Sequence, residues 1–176
     1  RNPYSATKAG ADMLVKAYHH TYELPAIITR CSNNYGEYQY PEKLIPKTII
    51  HALLEKPIGV YGDGLNIRDW IHVQDHCRAI FDALEKGQPG EIYNIGSENE
   101  ISNIKIVQMI LSYLNKPQSL IQYIEDRLGH DRRYAMDASK IRNQLQWKPE
   151  VDFMEGLSKT IDWYRQNKEW WRHLYA

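Results

Sequence analysis

Tyr4 and Lys8 stand four residues apart in the opening stretch Asn2-Pro3-Tyr4-Ser5-Ala6-Thr7-Lys8. On an α-helix that spacing puts both side chains on one face, about one turn from each other. A phenol with a reference pKa of about 10 is a poor base near neutrality. A nearby ammonium favours the phenolate, so such a pair can move a proton to or from a substrate hydroxyl. Asn2 suits an N-cap and Pro3 the first helical position, so a helix is expected to start here. The spacing alone decides nothing: with 13 Tyr in 176 residues, chance supplies about one such pair. Tyr164 and Lys168 repeat it, on what reads as a solvated helix near the C-terminus.

A second group of residues can bind anions. Lys43, Arg68, Arg127, Arg132 and Arg133 fall in segments that read as loops rather than helix faces. Arg grips a phosphate through two parallel N–H bonds, and two such residues can hold a diphosphate. Asn33 and Asn103 carry both donors and acceptors, suited to phosphate, sugar hydroxyls or a base edge. Tyr61 offers a flat face for a nucleobase. The competing reading pairs these arginines with Asp69, Asp126 and Asp131 on the surface. Pairing is preferred for Arg132 and Arg133; for Arg68 and Arg127 both readings stay open. His72 and His76, near Asp75 and Cys77, have superficial metal spacing. A change from strand to helix between the two His removes the i,i+4 geometry, no third ligand is supplied, and no metal is expected.

The elements that must position these groups follow from periodicity and punctuation. Apolar residues at 43% and charged ones at 25% describe an ordinary globular chain, long enough to bury a core. Zero net charge without a basic run argues against nucleic acid as a partner. No run of 18 apolar residues speaks for a membrane, and Cys31 and Cys77, far apart, fit a reducing cytoplasm. A helix is expected over 3–22, with a stripe of small or flexible residues at Ala6, Gly10, Met13 and Ala17. Leu24-Pro25 ends it, and 26–31 reads as a buried strand, giving an αβ unit of a parallel sheet. Ser32 to Gly36 then lies at the strand's C-terminal end, where open α/β sheets bind ligands; the same residues also make ordinary turns. Further strands are expected at 58–61, 71–73, 91–96 and 121–124. Helices are expected at 46–55, 74–86, 103–114 with Ser102 as cap, 137–145 and 153–168.

Taken together, these motifs resemble one family. Arg30-Cys31-Ser32-Asn33-Asn34-Tyr35-Gly36, Pro41-Glu42-Lys43-Leu44-Ile45-Pro46, Tyr61-Gly62-Asp63-Gly64, Ile67-Arg68-Asp69-Trp70, Tyr93-Asn94-Ile95-Gly96 and Gly129-His130-Asp131-Arg132-Arg133-Tyr134-Ala135 resemble the dTDP-glucose 4,6-dehydratases. These belong to the extended short-chain dehydrogenases/reductases, which share the more general of the motifs. The resemblance covers essentially the whole chain and implies an α/β fold. It implies the C-terminal part of a Rossmann-type NAD-binding domain (1–36 and about 66–97), interleaved with a smaller nucleotide-sugar domain (about 37–65 and 98–176).

The roles it implies are specific. Tyr4 and Lys8 would be catalytic, Tyr4 as base for the sugar 4-hydroxyl while a hydride leaves C4 for NAD. Tyr4, Lys8 and Asn34 would contact the cofactor. Asn33, Lys43, Leu44, Gly59, Val60, Tyr61, Arg68, Asn103, Asp126, Arg127 and His130 would contact dTDP-glucose. Leu128 stands where many relatives have Pro. No Gly-x-x-Gly-x-x-Gly phosphate loop occurs, and the family's acid/base pair for dehydration lies upstream of Tyr4. The expectation is a C-terminal fragment, inactive alone, of a cytoplasmic homodimer. Another NAD-dependent nucleotide-sugar enzyme, an epimerase or decarboxylase, and a non-catalytic nucleotide-sugar binding module are the rival readings.

Overall fold

The first helix begins where Asn2 and Pro3 place it. In the computed structural model, which describes residues 2–175, the Asn2 side chain accepts from Ser5 N at 2.9 Å and caps α1 (Pro3–Tyr22). The order continues β1 (Ile28–Cys31), β2 (Asn33–Tyr35), α2 (Leu44–Leu53), β3 (Ile58–Tyr61), β4 (Ile67–His72), α3 (Val73–Lys86) and β5 (Ile92–Ile95). It ends with β6 (Glu100–Ser102), α4 (Asn103–Tyr113), β7 (Ile121–Ile124), β8 (Arg133–Tyr134), α5 (Ser139–Leu145), α6 (Phe153–Gln166) and α7 (Lys168–Arg172). No helix among the described residues is long and apolar enough to cross a membrane.

The chain is mixed α/β, with mostly parallel pairing. β1 pairs with β5, and β3 with β7, each in parallel. β4 joins a third group, parallel to β2 and β8 and antiparallel to β6. Three apolar cores back these strands. Tyr93, Ile95, Ile141 and Trp147 pack β5 against α5. Ile58, Val60, Val107 and Leu111 pack β3 against α4. Ile45, Ile49, Ile106, Ile110, Leu157 and Trp171 join α2, α4, α6 and α7. No residue of α1 is buried.

Several expectations are corrected. Asn33–Tyr35 is a strand, because β4 supplies partners through Asn33↔Trp70 to Tyr35↔His72. β4 starts at Ile67, so Arg68 belongs to a strand and not to a loop; Arg133 likewise sits in β8. The second helix starts at Leu44, since Pro46 within its first turn forfeits no helical bond. Ser102 occupies the cap position of α4 but makes no side-chain cap bond. The helix expected over 153–168 breaks at Asn167, leaving Tyr164 on α6 and Lys168 on α7. Tyr164 is fully buried, so the second Tyr-x-x-x-Lys pair is not a solvated one.

Candidate functional site

Side chains alternate along a strand, so Arg68 and Trp70 of β4 face one way and Asp69 the other. Asp69 is buried and accepts from Ser97 N at 3.1 Å, Ser97 Oγ at 3.0 Å and Asn99 N at 3.0 Å. It ties down the turn after β5 and is out of reach of its neighbour Arg68. The opposite face opens into a cavity of about 400 Å³. Asn33 of β2, Lys43, Leu44 and Lys47 at the start of α2, and Gly59, Val60 and Tyr61 of β3 line it. Glu42, paired with Lys43 at 2.7 Å, and Arg68, Trp70, Asn103, Ile124, Arg127 and His130 complete the wall.

Two guanidinium groups share this cavity. Arg68 Nη1 donates to the Ile67 carbonyl at 2.7 Å. Burial lowers its pKa from the usual guanidinium value; Asp131 opposes that and Arg127 adds to it. Arg127 stacks on Tyr61, its guanidinium carbon 4.8 Å from the ring centroid. Its Nη2 lies 3.2 Å from His130 Nε2, and His130 Nδ1 lies 2.6 Å from Asp126 Oδ1. A guanidinium only donates, so Nε2 accepts and Nδ1 carries the proton given to Asp126. That hydrogen bond holds the Asp126 carboxyl below its ordinary value. Asp126 therefore anchors His130 from outside the cavity wall. Gly62 makes room for it: at φ +56°, a Cβ there would come within 3.1 Å of Asp126 Oδ2.

Among the described residues no carboxylate forms an ion pair with Arg68 or Arg127. Arg132 and Arg133 do pair, as expected, but with other partners. Arg132 binds both oxygens of Asp63, at 2.7 and 3.0 Å, and Arg133 binds Glu100 through two contacts of 2.6 Å.

Tyr4 and Lys8 lie elsewhere, at the C-terminal end of β1. Asp12, one turn beyond Lys8, pairs with Arg30 of β1 at 2.6 Å. The helix face that carries Tyr4, Lys8 and Asp12 therefore runs along β1, with Lys8 toward Cys31. Burial raises the Cys31 thiol pKa, while Asn34 and then Lys8 oppose it. Asn34 Nδ2 donates to Ser32 O at 3.2 Å, and its Oδ1 is 2.8 Å from His76 Nδ1. Tyr4 itself is 72% exposed. His72 and His76 serve separate tasks: His72 accepts from Gln74 N at the start of α3, and His76 holds Asn34. Sequence reasoning did not find Glu42, Lys47, Trp70 and Ile124 on the cavity wall. Trp70 was recoverable from strand alternation with Arg68, but only once β4 is known to begin at Ile67.

Fold and site thus define a largely parallel-sheet α/β protein with a cation-lined cavity and, at the end of β1, a Tyr-x-x-x-Lys helix. The chain belongs to the GDP-mannose 4,6 dehydratase family, whose model matches residues 1–160. It is 51% identical over 184 residues to the dTDP-glucose 4,6-dehydratase of Escherichia coli, a match covering 98% of this chain and 51% of that protein. It is similar to the structure of dTDP-glucose 4,6-dehydratase from Bacillus anthracis in complex with NAD. That match has a TM-score of 0.94 and 53% identity, over 99% of this chain and 55% of the other. The dTDP-glucose 4,6-dehydratase of Streptomyces venezuelae, solved with NAD and a second ligand, matches at TM-score 0.96 and 46% identity, over 98% and 53% of the two chains. The chain spans about half the length of the relatives it matches.

Proposed function

We propose that this chain forms the nucleotide-sugar part of an NAD-dependent dehydratase that converts dTDP-glucose to dTDP-4-keto-6-deoxyglucose. The observation that carries the reading is the cavity that Arg68 and Arg127 share, neither in an ion pair among the described residues, while the carboxylate on its wall, Glu42, is paired with Lys43. Two such cations are held together at a cost that a bound diphosphate removes. Tyr61, already stacked by Arg127, and the backbone of Gly59 and Val60 form the flat side of the pocket. Asn33, Lys43, Leu44 and Asn103 supply the remaining polar and apolar contacts. Asp126 and His130 hold Arg127 in place.

The residues at the end of β1 fit a nicotinamide riboside. Ser32 Oγ is buried there without a partner, Asn34 donates its amide to the Ser32 carbonyl, and Lys8 acts on the adjacent Cys31. Bound NAD⁺ would supply the hydride acceptor for C4 of the hexose. Tyr4 takes the proton of the C4 hydroxyl. Lys8, on the same helix face, holds the ribose. Asn34, fixed through His76, orients its amide toward the cofactor.

Calorimetric titration of the chain with dTDP-glucose and GDP-mannose tests the substrate. Preferential binding of dTDP-glucose supports the reading; a preference for GDP-mannose would keep the family and overturn the substrate.

A further inference from the structure

We infer that Asn66 is a positioning residue for the anion cavity: its buried amide fixes the loop that carries Arg127 and His130 against the strand that carries Arg68. This rests on the nucleotide-sugar reading above and adds to it a residue that does not line the cavity. Asn66 immediately precedes β4, two residues before Arg68, and is 2% exposed. Its backbone carbonyl accepts from Asn103 N at 3.0 Å, at the start of α4. Its side-chain Nδ2 donates to the Asp131 carbonyl at 3.2 Å. Asn66 therefore joins β4 with Arg68, the start of α4 with Asn103, and the loop that carries Arg127 and His130.

The loop needs such a tie. Its two ends are held by backbone bonds, Gly62 N to the Ile124 carbonyl at 2.9 Å and Ile67 N to the Arg132 carbonyl at 2.8 Å. Between them, Asp126, Arg127 and His130 bond to one another, which gives the segment its shape but not its place. Asn2 Nδ2 lies 3.5 Å from the Gly129 carbonyl, at the limit of a hydrogen bond. The Asn66 amide bonds the residue next to His130, and His130 holds Arg127. Fixing Asp131 also places the carboxylate that opposes the effect of burial on Arg68. Asn66 Oδ1, by contrast, is buried without a partner among the described residues. An unpaired buried acceptor costs stability, so packing alone would favour an apolar side chain here. What the amide adds is the bond to Asp131, and Asp131 is exposed enough to take water in its place.

The test uses Asn66→Leu, which keeps the side-chain size and removes the amide, in the 176-residue chain. Amide hydrogen exchange is read first, without ligand. Residues 126–131 should exchange about three- to tenfold faster, the scale of one lost hydrogen bond, while α2, α6 and the thermal midpoint stay unchanged. Calorimetry should then show dTDP affinity about three- to tenfold weaker. In an Arg127→Ala background the same substitution should cost no further affinity, because the cation that the loop presents is gone. Unchanged loop exchange, unchanged dTDP affinity, or an equal further loss in the Arg127→Ala background would overturn the inference. So would a lower midpoint with faster exchange throughout the chain, which would make Asn66 a purely structural residue. If the unsubstituted chain binds no dTDP while loop exchange still responds to Asn66→Leu, the nucleotide-sugar reading is what fails, and the role in binding falls with it.

Discussion

Replacing Arg68 by Met separates a ligand-binding cation from a structural one. Met keeps an apolar stem of similar length and removes the charge. In the folded chain that charge is half-buried, without an ion pair, and faces a second guanidinium. A buried charge without a partner destabilises, so its removal should leave stability unchanged or raise it by about 0.5–2 kcal/mol. Binding should move the other way. Hydrogen bonds to a charged group contribute about 1.5–3 kcal/mol. At about 1.4 kcal/mol per factor of ten, dTDP affinity should fall roughly 10- to 150-fold. Calorimetry with dTDP gives the affinity, and urea unfolding gives the stability. Arg68→Lys should recover only part of the affinity, because an ammonium lacks the two-pronged contact. Unchanged dTDP affinity in Arg68→Met, or a loss of stability above about 1 kcal/mol, would refute the reasoning and make Arg68 a structural residue.

Four further outcomes are expected. His130→Ala should weaken dTDP binding by less than Arg127→Ala does, and His130→Gln should recover part of it, because Gln can accept from Arg127 and donate to Asp126; calorimetry on the three variants checks the order. Burial pushes the pKa values of His51, His72 and His76 below their ordinary 6.5. Their neutral forms therefore contribute stability that is complete above about pH 6.5 and is lost as pH falls through the lower folded values, so the urea midpoint should drop between pH 7.5 and pH 5.5. The chain alone should give no 4-keto product from NAD⁺ and dTDP-glucose, since it contains no glycine-rich phosphate loop; product from a preparation free of longer protein would contradict this. With Met13, Leu14 and Tyr18 exposed on α1 and β5, among the described residues, the one strand paired to β1, the chain should self-associate with rising concentration in light scattering.

What the sequence discloses depends on whether the deciding interaction is local. α1 is legible because its cap, its first-turn proline and its Leu24-Pro25 stop are all adjacent in sequence. β3 is legible between Pro57 and the Gly62 turn. β2 is not: Asn33-Asn34 carries turn residues, and only the bonds to β4, more than thirty residues on, make it a strand. The break at Asn167 is hidden in a polar run that suits a helix. It becomes necessary only because Trp171 must turn back into the core, where its Nε1 donates to the Tyr164 carbonyl at 2.8 Å. Asn33, Lys43, Tyr61, Arg68, Asn103 and Arg127 stand out by residue type, and Leu44, Gly59, Val60 and His130 by motif resemblance; the structure brings these around one space and leaves Asp126 outside it. Partners are a different matter. The ion pair of Arg132 with Asp63 joins residues 69 apart, and the Asp126–His130–Arg127 chain needs a loop conformation that no periodicity encodes.

The central claim is that the cavity between β3, β4, α2 and the loop after β7 holds a nucleotide diphosphate sugar. A crystal structure of the chain with dTDP-glucose tests it most directly. The account predicts the diphosphate between Arg68 and Arg127 and the hexose directed toward Tyr4. Ordered ligand bound elsewhere, with the two guanidinium groups still facing an unliganded cavity, would contradict it.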